Sequence, residues 1–117
     1  MFVNENQGGI FMAVDFETVK RIARNYAADV SRELPVDKAI LFGSYAKGCA
    51  TEQSDIDICF FLNNYNGKRR VDLLTQILGI GGKKYGRAFF EPIVFETADI
   101  KNDNPFIREI LATGVEL

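Results

Sequence analysis

The chain has no histidine, two cysteines, no long apolar run and no excess of positive charge. Each of these shortages closes a route. Without histidine there can be no Ser-His-Asp or Cys-His hydrolase and no histidine-ligated metal. Acid–base work must then fall to carboxylates, lysine, tyrosine or water. Cys49 and Cys59 are too few for a disulfide framework or a zinc site, and they read as reduced thiols of a cytoplasmic protein. No stretch approaches the roughly 18 apolar residues of a membrane span. The start of the chain, with Asn4, Glu5 and Asn6, lacks the basic and apolar regions of a signal peptide. With 14 basic and 16 acidic residues the formal charge is −2, unlike a dedicated nucleic-acid-binding module.

What is present is enough for one domain. The 117 residues are 47% apolar, so one core can form without covalent or metal support. Residues 1–14 show no clear period and read as a poorly ordered arm outside a single domain over 15–117. Phe16, Val19, Ile22, Ala23, Tyr26 and Val30 recur at helical spacing, with Asp15 as N-cap and Leu34-Pro35 as the stop. Lys38–Phe42 reads as a buried strand entering a tight turn at Gly43-Ser44, and Ser44 to Gly48 as a short helix or turn. Asp55–Leu62 reads as a second strand.

A second long helix is expected over Lys68–Leu78, with Val71, Leu74, Ile77 and Leu78 inward and Gly79, Gly81 and Gly82 ending it. Ala88–Phe95 is a third strand, which Pro92 confines to an edge or a bulge. Asn104 and Pro105 open a last helix, with Phe106, Ile110 and Leu111 inward and Gly114 as its stop. The expected class is α/β (α+β), a small mixed β-sheet flanked by helices.

Chemistry concentrates in Gly43-Ser44 and Asp55-Ile56-Asp57. A strand-to-helix turn points backbone N–H groups at one spot, glycine lets an anion approach, and Ser44 adds a hydroxyl. Taken alone, this could be a plain turn with Ser44 as N-cap. Asp55 and Asp57 are two apart on a strand, so their carboxylates share a face. Two such neighbours repel unless a cation lies between them, and Mg²⁺ suits one or two carboxylates with phosphate oxygens and waters. A solvated strand end is the plainer alternative, but Cys59, Phe60, Phe61 and Leu62 run on as core.

Gly-Ser, ten residues, then Asp-x-Asp resembles the signature of the DNA polymerase β-like nucleotidyltransferases. The text around it is similar to their minimal nucleotidyltransferase branch, which includes small antitoxin partners of HEPN-domain proteins. The resemblance covers roughly residues 15–117. It implies a polymerase β-like fold and a transfer of AMP from ATP to a hydroxyl, with two Mg²⁺ ions. Asp55, Asp57 and a third carboxylate would be catalytic and metal-binding, and Gly43, Ser44 and Lys47 would bind the nucleotide. Glu91 is the candidate third carboxylate; Glu96, on the opposite face of the strand, is the fallback. The resemblance implies a catalytic core that does not itself hold the acceptor, so a small helical HEPN-type or substrate-binding partner is expected, or a homo-oligomer that builds the cleft. The acceptor would be a tyrosine of the partner toxin. The alternative is a non-catalytic module that neutralises or scaffolds its partner by contact.

Lys68, Arg69 and Arg70 read as a solvated face, and Lys83, Lys84 and Arg87 as loop residues. Tyr45 and Phe42 read as packing rather than base-stacking residues, and both cysteines as small, at least half-buried groups.

Overall fold

Asp15 sets the first helix. Its carboxylate accepts from the Thr18 backbone N–H at 3.1 Å, fixing the start of α1 (Phe16–Ser31). A computed structural model describes residues 15–51, 54–86 and 90–117 of the chain. The reading of residues 1–14 as an arm, and Arg87, lie outside the described residues.

α1 ends at Ser31 with Arg32 as its C-cap, ahead of the expected Leu34-Pro35 stop, and β1 (Val36–Phe42) follows directly after Pro35. A four-residue helix, α2 (Ser44–Lys47), starts at the Gly43 turn and closes on a left-handed Gly48. β2 (Ile56–Leu62), α3 (Arg70–Tyr85) and β3 (Phe90–Glu96) come next. A 3-10 turn (Thr97–Lys101), α4 (Pro105–Thr113) and β4 (Val115–Glu116) complete the chain. The sheet is mixed, in the order β3-β2-β1-β4. β1 runs antiparallel to β2 and β4, while β2 and β3 are parallel. Pro92 lies on the edge strand β3, where a missing N–H is tolerated.

The sheet has two differently covered faces. Ala39, Leu41, Ile58, Phe60 and Val94 pack under α1 and α3 and form the main core. Ile40, Cys59 and Phe61 turn the other way, against Ile107 and Ile110 of α4. By strand alternation Phe42, Asp57 and Glu91 also belong to this second face. No helix among the described residues is long and apolar enough to cross a membrane.

Three local expectations are corrected. The glycines do not end α3, which continues to Tyr85. Gly81 is buried under Tyr26, and a Cβ there would stand 2.8 Å from the Tyr26 ring. Tertiary packing thus outweighs the roughly 1 kcal/mol helix penalty of glycine. The inward faces also differ. Leu73 and Ile77 are buried in α3 while Val71 and Leu78 are exposed, and in α4 Ile107 and Ile110 are buried while Phe106 and Leu111 are exposed. Cys59 is buried, but Cys49 is exposed.

Tyr26 joins the two core helices. Its ring stacks on Phe90 at 4.1 Å and meets Phe60 edge-on, and its hydroxyl donates to the Ile77 carbonyl at 2.8 Å. Burial pushes the hydroxyl well above its ordinary pKa, so it stays a donor. Tyr26→Phe should cost about 1 kcal/mol, lowering Tm by about 4–8 °C. Nucleotide affinity should not change, because the ring lies on the face away from the carboxylates. Thermal melts and a nucleotide titration on the same variant check both statements.

Candidate functional site

The strand register assembles the site. Asp57 stands between two strand neighbours, with Phe42 opposite it on β1 and Glu91 opposite it on β3. Register partners in a sheet share a face, so the three form one row across three strands. Asp55 precedes β2 and is exposed, close enough for its charge to act on Asp57. Glu91, the third carboxylate that the resemblance implies, lies beside Asp57; Glu96, the fallback, instead caps the following 3-10 turn with Asp99.

Asp57 is half-buried, with Glu91 beside it on β3. Burial first, then the neighbouring Glu91 carboxyl, then the charge of Asp55 raise its carboxyl to about 6, so Asp57 tends to hold a proton in the metal-free protein. Among the described residues no three potential ligands are already gathered around one point. The donor set still fits a hard divalent cation. All the oxygens are carboxylates, and Mg²⁺ is usually bound by one or two of them together with phosphate rather than by an all-protein cage. A cation there would take the place of that proton.

On the other side of Asp57 is the turn. Gly43 has φ +78° and ψ −152°, a combination essentially reserved for glycine. A Cβ at Gly43 would collide with the Asp57 carboxylate. The turn and the carboxylate can be this close only because position 43 has no side chain. No side chain caps the first turn of α2, and Ser44 opens it half-buried. Tyr45 packs into the core beneath, where burial and then the charge of Asp55 raise its hydroxyl pKa.

Lys47 is placed differently from a phosphate ligand. Its ammonium donates to Glu109 of α4 at 2.9 Å. The other basic groups also have local partners. Arg69 pairs with Asp72 at 3.0 Å, Arg70 lies 5.2 Å from the Phe95 ring centre, and Lys84 pairs with Asp29 of α1 at 3.3 Å. Lys83 and Lys84 sit in the last turn of α3, where positive charge suits the helix dipole, rather than in a loop. Sequence reasoning missed Phe106. With Phe42 it walls a small cavity of about 170 Å³ beside Gly43, and only the Asn-Pro helix start marked its place.

A turn that admits an anion, set against a carboxylate pair, can hold phosphate and a divalent cation together. Comparison with known proteins agrees with this class of chemistry. The nucleotidyltransferase domain family matches residues 23–111. Two similar chains from Methanocaldococcus jannaschii are provisionally named protein adenylyltransferases. MJ0141 is 31% identical over 98 residues, covering 82% of this chain and 95% of that one. MJ1305 is 41% identical over 83 residues, covering 67% of this chain. The chain spans about half (54%) of the length of MJ1305. The fold resembles the crystal structure of a provisionally assigned nucleotidyltransferase from Sulfolobus solfataricus. The TM-score is 0.60 at 18% identity, over 86% of this chain and 80% of that one. The chain belongs to the nucleotidyltransferase domain family.

Proposed function

We propose that the chain transfers AMP from ATP to a hydroxyl on a partner protein. The observation that carries this reading is the position of Asp57, pressed against the side-chain-free Gly43 turn on one side and paired in register with Glu91 of β3 on the other. Asp55, Asp57 and Glu91 would hold Mg²⁺, which when bound neutralises the triphosphate and acidifies the attacking hydroxyl. Gly43 and Ser44 hold the terminal phosphates. Glu91, on the outer strand, takes the proton of the acceptor hydroxyl. The acceptor oxygen bonds to the α-phosphorus as the bond to pyrophosphate breaks. The residues contribute mainly positioning and charge neutralisation.

A protein acceptor is supported by the name carried by the relatives. The family resemblance suggests a tyrosine on a small helical HEPN-type toxin, which gives the chain an antitoxin role. A second reading is neutralisation of the partner by contact, without transfer. Calorimetric titration of Mg-ATP into the wild type and into Asp55→Asn/Asp57→Asn tests the site. Mg-dependent binding that the double variant loses is the expected result, followed by label from α-labelled ATP on the partner protein. Binding without label transfer would favour the second reading. A wild type that binds none of ATP, GTP, CTP and UTP would sink both.

A further inference from the structure

The cavity beside the phosphate turn is lined by Phe42, Gly43, Phe106 and Ile110, with Lys47 and Glu109 at its rim. At about 170 Å³ it is well below the roughly 300–1,000 Å³ of a pocket for a whole ligand. It has room for one flat ring. Two of its walls are aromatic, with Phe42 and Phe106 meeting edge-to-face at 6.0 Å and 86°. Phe106 also leans on Phe95 at 6.4 Å, yet stays 49% exposed. Its backbone is held firmly. The Asn104 side chain accepts from the Phe106 N–H at 2.9 Å and from the Ile107 N–H at 3.2 Å. An aromatic ring fixed in place, half open to water and next to a phosphate turn is poised to stack on something.

From this geometry we infer that the cavity under α4 binds the base of the nucleoside triphosphate, with Phe106 as its stacking surface. The inference rests on the proposed nucleotide site. The cavity shares Gly43 with the phosphate turn, so its occupant lies beside the triphosphate, and the base, joined through the ribose to the α-phosphate, reaches it with the nucleotide folded back over the turn. The acceptor is a poorer occupant. In an in-line displacement the attacking hydroxyl approaches opposite the leaving pyrophosphate. With pyrophosphate at the turn, the acceptor must come from the Glu91 side, across Asp57 from the cavity. The Lys47–Glu109 pair places one donor and one acceptor at the rim, where the polar edge of a base would emerge.

The test compares Mg-ATP with Mg-tripolyphosphate, which has the phosphates and no base, on the full chain. Phe106→Leu keeps apolar cover over Phe42 and Phe95 but removes the flat face. Phe106→Ala removes both, and Phe106→Tyr restores the face. Base–aromatic stacking predicts ATP affinity about 5- to 100-fold weaker in the Leu and Ala variants, with wild-type affinity in the Tyr variant. Tripolyphosphate affinity should stay within about twofold throughout. Equal loss for both ligands, or no loss for either, overturns the base site while leaving the phosphate site intact. A wild type that binds ATP no better than tripolyphosphate also overturns it. A wild type that binds neither overturns the nucleotide reading itself, and the base site with it.

Discussion

Asp57→Asn should make the metal-free protein more stable and the enzyme inactive. The two effects share one cause. Burial, Glu91 and Asp55 raise the Asp57 carboxyl to about 6 in the folded chain, against about 3.9 when unfolded. The stabilisation of the protonated form is complete below the unfolded value and is lost as pH rises through about 6. Above that pH the folded protein carries an unfavourable negative charge. A shift of this size has an upper limit near 3 kcal/mol, and for a half-exposed group screened by water about 1–2 kcal/mol is expected. Asparagine never takes the charge. Wild type and variant should therefore melt alike near pH 4 and diverge towards pH 7, with the variant higher by about 4–8 °C per kcal/mol. Saturating Mg-ATP should reverse the order, because only the wild type gains binding free energy. Transfer from α-labelled ATP should drop at least about a thousandfold. A variant that melts below the wild type at pH 7.5 without ligand would mark Asp57 as a structural carboxylate.

The sequence shows most plainly what short-range chemistry decides. The Asp15 cap and the Gly43-Ser44 turn each depend on residues within one turn of chain, and the structure has both, while α1 ends at Ser31, ahead of the expected Leu34-Pro35 stop. Asp55 lies just before β2 and Asp57 within it, two positions apart, so their proximity follows from spacing alone. Glu91 is a longer reach. The resemblance implies it as the third carboxylate, but only the parallel register of β2 and β3 sets it opposite Asp57.

What was not legible depends on contacts distant in sequence. The end of α3 is decided by the Tyr26 ring lying on Gly81, 55 positions apart in the chain. β4 is two residues that become a strand only by pairing with Ile40 and Leu41. The apolar stripes of α3 and α4 are wider than the surfaces they cover, so periodicity placed Val71, Leu78, Phe106 and Leu111 inside when they are exposed. Lys47 is adjacent to the phosphate turn in sequence, but Glu109, from the far end of the chain, sets its direction.

Gly43→Ala should cost stability and disable the site, and Gly48→Ala is its control. Both glycines have positive φ, +78° and +79°. Gly48 closes α2 in the ordinary left-handed region, with ψ 17° and open space where a Cβ would go. Alanine there faces only the left-handed penalty of about 1–2 kcal/mol. At Gly43 ψ is −152°, a region closed to side chains, with a strain cost of about 1–3 kcal/mol. The new methyl would also overlap the Asp57 carboxylate, and the Asp57 Cγ would be only 3.0 Å away. Asp57 is held in β2, with Glu91 beside it on β3. The turn must therefore open or the carboxylate must swing away, and either change separates the phosphate-holding and cation-holding halves of the site. Gly43→Ala should lose about 2–4 kcal/mol of stability and fall below detectable Mg-ATP binding. Gly48→Ala should lose less than half of that and keep its affinity within about twofold. Denaturant unfolding and calorimetry on the two variants make the comparison. Normal Mg-ATP affinity in Gly43→Ala would show that close approach of the turn to Asp57 is incidental to nucleotide binding.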